Sequence, residues 1–191
     1  MQSDIEEFNL TGRVLIAMPG IGDPRFEKSV IYICAHSEEG AMGLIINKPA
    51  PEVSFGDLLE RLSITSEIDG GEPGIYFGGP VEHGRGFVLH TGEYQGSDST
   101  LQIDKTYGMT ATVDVLQDIA KGQGPAAAIL ALGYSGWAAG QLETEIQSNG
   151  WLIGDARQDL IFGADDGGKW GAALGDLGID PFTLSAAAGR A

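Results

Sequence analysis

Val30-Ile31-Tyr32-Ile33-Cys34-Ala35, then Glu38-Glu39-Gly40, then Met42-Gly43-Leu44-Ile45-Ile46-Asn47: two apolar runs flank a charged turn, and Pro49 halts the second. β-Branched and aromatic residues fill the first run, which reads as a strand, and the second reads the same way. A parallel return would need a crossover of a dozen or more residues. The short connection therefore predicts an antiparallel hairpin. Upstream, Val14-Leu15-Ile16-Ala17 is a further buried strand, ended by Pro19 and Gly20. Asp23-Pro24 has the form of an N-cap followed by proline, but strand residues resume at Ser29, so only a turn is expected there.

Downstream, Ser54 caps a helix whose first turn carries Asp57 and whose inner face carries Leu58, Leu59 and Leu62. Ile75-Tyr76-Phe77 and Phe87-Val88-Leu89-His90 are strands on either side of Gly78-Gly79-Pro80-Val81, and 101–103 and 107–112 are weaker strands. Val115, Leu116 and Ile119 give a helix over 113–120 with Gly122 as its stop. A strand of small residues over 126–132 leads into Gly133-Tyr134-Ser135-Gly136-Trp137, read as a sharp turn, and then a helix over 138–149. Trp151-Leu152-Ile153 is a strand, and 158–162 and 169–177 are short helices. The β-α-β alternation of a doubly wound sheet is missing. The expected class is α+β: a mainly antiparallel central sheet, with a barrel-like curl as one form, and flanking helices. One domain over 1–191 is expected, with 1–9 and 182–191 as loosely ordered termini.

The 191 residues carry a formal net charge of −16, which repels nucleic-acid phosphates and anionic membranes. Direct nucleic-acid binding and membrane association are not expected. The 11 Lys and Arg are scattered, with no basic stripe and no helix-turn-helix pattern. Thirty glycines, about twice the usual ~7% share, fall between apolar runs and predict many tight turns. Cys34 is the one cysteine, so an internal disulfide is impossible, and its apolar run marks it as a core residue. No apolar stretch reaches the ~18–20 residues of a membrane span. A cytoplasmic location is expected.

No phosphate loop, HExxH or paired CxxC is present, and His36, His83 and His90 include no i, i+4 pair. No metal, cofactor or catalytic residue is therefore assigned. Gly133 to Trp137 resembles a nucleophile elbow joining strand to helix, but Trp137 stands where G-x-S-x-G needs glycine, and no histidine follows Ser135. A packing turn is the better reading. Glu143 and Glu145 point to different faces of their helix and read as solvated, with Glu143 as a cap for local backbone. Asp165-Asp166-Gly167-Gly168 lacks the alternating acids of a calcium loop and reads as a turn. Asn47 and His36 are placed to face each other across the hairpin.

Taken together, these stretches resemble the AlgH/YqgE family of bacterial proteins. The likeness is carried by Leu10 to Pro19, Asp23-Pro24-Arg25-Phe26, His36, Gly40 to Pro49, Gly78-Gly79-Pro80-Val81, Arg85 to His90, Gly133 to Trp137, Gly140-Gln141-Leu142-Glu143 and Asn149-Gly150-Trp151, nearly the whole chain. Arg190 departs from the family pattern, which often has histidine, and Ser135 stands where many members carry alanine. The resemblance implies a structure built on a mainly antiparallel sheet. Some members carry a transcriptional-regulator label, and no catalytic residues carry over. Three functions compete. The first is a binding or regulatory protein with an unknown protein or small-molecule partner, in which loops bearing Asp23, Asn47, Gly79, His90 and Gln141 converge at one end of the sheet. The second is a small-molecule hydrolase using Ser135 or His90. The third is a transcriptional regulator acting without direct DNA contact.

Overall fold

The computed structural model describes residues 8–96 and 99–184. Among them the strands are β1 (Arg13–Ala17), β2 (Val30–Ser37), β3 (Gly40–Ile45), β4 (Gly74–Phe77), β5 (Val81–Thr91), β6 (Thr100–Gln102), β7 (Tyr107–Thr110), β8 (Ala128–Ala138) and β9 (Trp151–Asp155). The helices are α1 (Phe55–Arg61), α2 (Val113–Ala120), α3 (Gln141–Gln147), α4 (Gln158–Phe162) and α5 (Lys169–Asp176). The strands form one curled sheet in the order β6-β7-β5-β8-β3-β2-β1-β9, with β4 also paired to β8. Every pairing between these strands is antiparallel except β4 with β8. The fold is α+β. Of the expected loose termini, 1–7 and 185–191 lie outside the described residues, and Pro181–Thr183 forms a 3-10 turn capped by Asp180.

The β2–β3 hairpin is antiparallel, with Glu38-Glu39 as its two-residue turn. Its register slips between Ile33 and Ala35, so Cys34 is the extra residue of a bulge. The thiol is buried in the core, and burial pushes it up to about 12. Asp23 caps a 3-10 turn over Pro24–Phe26, and Ser54 and Asp57 form a reciprocal capping box on α1.

Helices cover both faces of the sheet. Leu160 and Ile161 of α4 and Ala173 and Leu174 of α5 pack on one face, against Val14, Ile16, Tyr32 and Leu44. Leu59 of α1 and Val115 and Ile119 of α2 cover Val88 and Leu130 on the other face. Leu142 of α3 covers Ile33, Trp137 and Trp151. Lys169 anchors α5 from inside. Its ammonium donates to the carbonyls of Ile46 and Ile161, meets Asp166 Oδ1 at 2.9 Å and lies 4.9 Å from the centre of the Tyr76 ring. All three of its protons are used.

The stretch Gly133 to Trp137 is not a turn. It lies inside β8, which runs through eleven residues. Small residues and two glycines read locally as a break, but the sheet needs Gly133 for close approach. β4 lies on one edge of β8 and β5 on the other, and only Gly78-Gly79-Pro80 links the two. That link crosses the backbone of β8. A Cβ on Gly78 would fall 2.3 Å from Gly133 O, and one on Gly79 would fall 2.1 Å from the Tyr134 carbonyl carbon. Gly133 itself adopts φ +75°, a conformation that side chains disfavour. On the β5 side Val81 pairs with Tyr134 and Gly86 with Leu132, so residues 82–85 bulge out of the ladder.

Candidate functional site: a groove and a cleft beside one strand

A groove of about 830 Å³ lies on the α4/α5 face of the sheet, lined by no residue of either helix. Its floor is apolar. Met42 comes from β3, Phe87 from β5, Met109 from β7 and Tyr134 from β8, with Phe87 and Tyr134 edge-to-face at 5.8 Å. Met42, Phe87 and Met109 are inward positions of their strands by period-2 alternation, whereas Tyr134 reaches the same face as Ile129 and Ala131 only because the phase of β8 shifts at Gly133, whose φ is +75°. The rim is charged. Arg85 rises from the β5 bulge, its guanidinium 5.1 Å from the centre of the Phe87 ring and 3.5 Å from Glu82. Glu39 stands on the opposite rim, at the hairpin turn.

A smaller cleft of about 370 Å³ also includes Val81, Gly136 and Trp137 in its lining. Phe26, Trp137 and Trp151 form its aromatic wall, with Trp151 edge-to-face to both of the others. Trp137 Nε1 donates to Glu145 Oε2 at 2.6 Å. Asp23 is held by Arg25 at 2.7 Å, and that hydrogen bond keeps the Asp23 carboxyl below its ordinary value. Gln141 Oε1 accepts the Ala138 N–H at 2.9 Å.

The groups most suited to chemistry are already engaged. His36 Nδ1 accepts the Leu10 N–H at 3.0 Å, so the ring proton sits on Nε2 and is donated to Glu143 Oε1 at 2.6 Å. Burial alone would raise the Glu143 carboxyl, but its own backbone N–H and His36 outweigh this and hold it down. His90 Nδ1 donates to the Thr91 carbonyl, while Nε2 accepts from Thr110, whose hydroxyl in turn meets Thr100. Ser135 is fully buried, and its hydroxyl donates to Gly78 O at 3.2 Å. Among the described residues, no group of three or more His, Cys, Asp and Glu is arranged to hold a metal. No helix among them is long and apolar enough to cross a membrane.

Comparison with known proteins gives this arrangement relatives. An AlgH-like family model (DUF179) matches residues 14–182. The chain belongs to the AlgH-like family. A UPF0301 protein of Ruegeria pomeroyi is 56% identical over 184 residues, covering 96% of this AlgH-like chain and 100% of its relative. One from Cereibacter sphaeroides is 52% identical over 183 residues, with 96% and 100% covered. The solution structure of the AlgH protein from Pseudomonas aeruginosa superposes with a TM-score of 0.75 at 39% identity, over 94% of this chain and 95% of that one. A Corynebacterium diphtheriae protein shares the fold, at TM-score 0.68 and 23% identity over 86% and 85% of the two chains.

In this AlgH-like protein the five residues expected to share a site divide. Asp23 and Gln141 line the cleft, and Gly79 adjoins its Pro80 wall. Asn47 instead splices two backbones, accepting from Val30 N and donating to Lys28 O. It does not face His36, which lies at the other end of the hairpin opposite Ala41. His90 is sealed under the sheet. Glu143 and Glu145 are not a solvated face, because each reaches back to a side chain of the sheet. Sequence reasoning missed Met42, Phe87, Met109 and Tyr134 as one floor. The alternation of Met42, Phe87 and Met109 was readable strand by strand, Tyr134 lay in the stretch read as a turn, and their meeting depends on the strand order.

Proposed function

We propose that this AlgH-like protein is a binding protein, acting through a partner held in the groove rather than through turnover. One observation carries the reading: an apolar floor of ligand size lies open while His36, Ser135, Glu143 and Glu145 are tied into internal hydrogen bonds. Small-molecule sites commonly span ~300–1,000 Å³ with mostly apolar walls and a few oriented polar groups. Here Arg85 is the oriented cation, suited to an acidic group on an otherwise apolar ligand. The fully engaged His36, His90 and Ser135 speak against the hydrolase alternative. The charge of −16 speaks against phosphate backbones as the partner, so a regulatory role would run through proteins or small molecules. A lone, buried, unreactive thiol suits a cytoplasmic setting.

The test uses anilinonaphthalene sulfonate, an apolar body with one anionic group. The chain has four methionines, of which Met42 and Met109 line the groove and Met18 does not. With ¹³C-methyl methionine, the probe is expected to shift Met42 and Met109 saturably and leave Met18 in place. Arg85→Ala is expected to weaken binding about tenfold, the loss of one charge-assisted contact. Shifts at Met18 alone, or none, would reject the groove as the site.

A further inference from the structure

We infer that the C-terminal half of β8 is a docking edge for an extended, basic and apolar peptide segment of a partner protein. The inference shares the apolar floor with the groove reading but goes beyond it: the edge takes a second kind of partner, and Arg85 stays with Glu82 rather than meeting the peptide. β8 has strands on both edges from residue 129 to 132. Beyond Tyr134, its last partner on the β5 side is Val81, while β3 continues to pair with Ser135 to Ala138 on the other side. The link through Pro80 then leaves that edge to cross the sheet, so four residues of β8 run on without a strand there.

The hydrogen-bonding direction of this edge can be read from Gln141. Ala138 N–H donates to the Gln141 side-chain oxygen, so it points away from β3. In a strand, residues two apart direct their backbone groups to the same side. Gly136 therefore presents its N–H and carbonyl to the same open edge, and it is exposed. Gln141 supplies there the acceptor that a neighbouring strand's carbonyl would supply.

An added strand sends alternate side chains to opposite faces. Both faces are prepared. The groove lies on one side of this edge and the cleft on the other, and the two share Val81, Gly136 and Trp137. The groove floor accepts apolar side chains. The cleft carries two carboxylates, Asp23 and Glu145, against one cation, Arg25, which pairs with Asp23; the surplus negative charge, within an acidic molecule, favours Lys or Arg on the alternate positions. A small molecule could fill the groove alone, but it would make no use of the open ladder or of the second concavity.

The probe is the blocked peptide acetyl-Val-Lys-Val-Lys-Val-amide at physiological salt, titrated into ¹⁵N- and ¹³C-methyl-methionine-labelled full chain. Binding is expected to shift the Gly136 amide and the Met42 methyl together. The same peptide N-methylated at the amides facing β8 keeps its charge and side chains but cannot join the ladder, and it is expected to bind at least tenfold more weakly. Gly136→Pro removes an edge N–H without touching the β3 ladder and is expected to abolish the shifts. Should that variant not fold, the N-methyl comparison decides by itself. Equal affinity of the two peptides, or shifts that bypass Gly136, would overturn the inference. If the sulfonate probe still shifts Met42 and Met109 while the peptide does not bind, the groove reading stands and the edge inference alone falls.

Discussion

His90 shows how a side chain that looks reactive in the sequence is committed to structure. Gly108 makes the space for it, since a Cβ there would fall 2.8 Å from the imidazole Cε1. Burial lowers its pKa, outweighing the opposing pull of the Thr91 carbonyl and the Glu93 carboxylate. The folded state therefore resists protonation that the unfolded state accepts. Stability tied to His90 is intact above its ordinary value of 6.5 and is lost as pH falls through and below it. Urea unfolding midpoints are expected to decline from pH 7 to roughly 5.5 in the native sequence and to decline less in His90→Gln. Parallel declines in the two proteins would show that His90 carries none of the effect. The sequence disclosed the residue but not its neutrality, which comes from burial under strands that also bring Thr110 to its Nε2.

At the scale of elements, legibility followed locality. The β2–β3 hairpin, the Ser54 cap and α2 were readable because their signals lie within a few residues of each other. Gly133 to Trp137 was misread because Gly133 answers to Gly79, more than fifty residues away. No local pattern separates a glycine that permits a turn from one that permits two backbones to cross. The crossing predicts a contrast between two substitutions. Gly79→Ala places a methyl inside the Tyr134 backbone and is expected to cost more than about 3 kcal/mol, or to prevent folding. Gly140→Ala also meets a positive φ, at 76°, but its Cβ would stand in open space, so only the conformational cost of about 1 kcal/mol applies. Denaturant melts of the two variants measure the difference. Equal losses would mean that the crossing is looser than its geometry states.

At the scale of the molecule, 27 Asp and Glu face 11 Lys and Arg. This imbalance was plain from composition, and its consequence is self-repulsion in the compact state. Raising sodium chloride from about 10 to 150 mM shortens the Debye length from ~30 to ~8 Å and is expected to raise the melting temperature by a few degrees. A fall would mean that ion pairs such as Arg157 with Asp159 and Asp176 outweigh the repulsion. The class of fold was likewise legible, whereas the groove was not, because its floor is a product of strand order. β8 also settles the schedule on which this chain can become a protein. It is the last strand but one to leave the ribosome, yet β3, β4 and β5 all dock on it. Until residue 138 has emerged, the hairpin half and the meander half are joined by little more than the backbone bonds between residues 45–50 and 75–78, and their other ladders lack a partner. Such a topology acquires its cooperativity late and all at once, and a nascent chain stalled before Ala128 exposes the sticky edges that chaperones are recruited to shield.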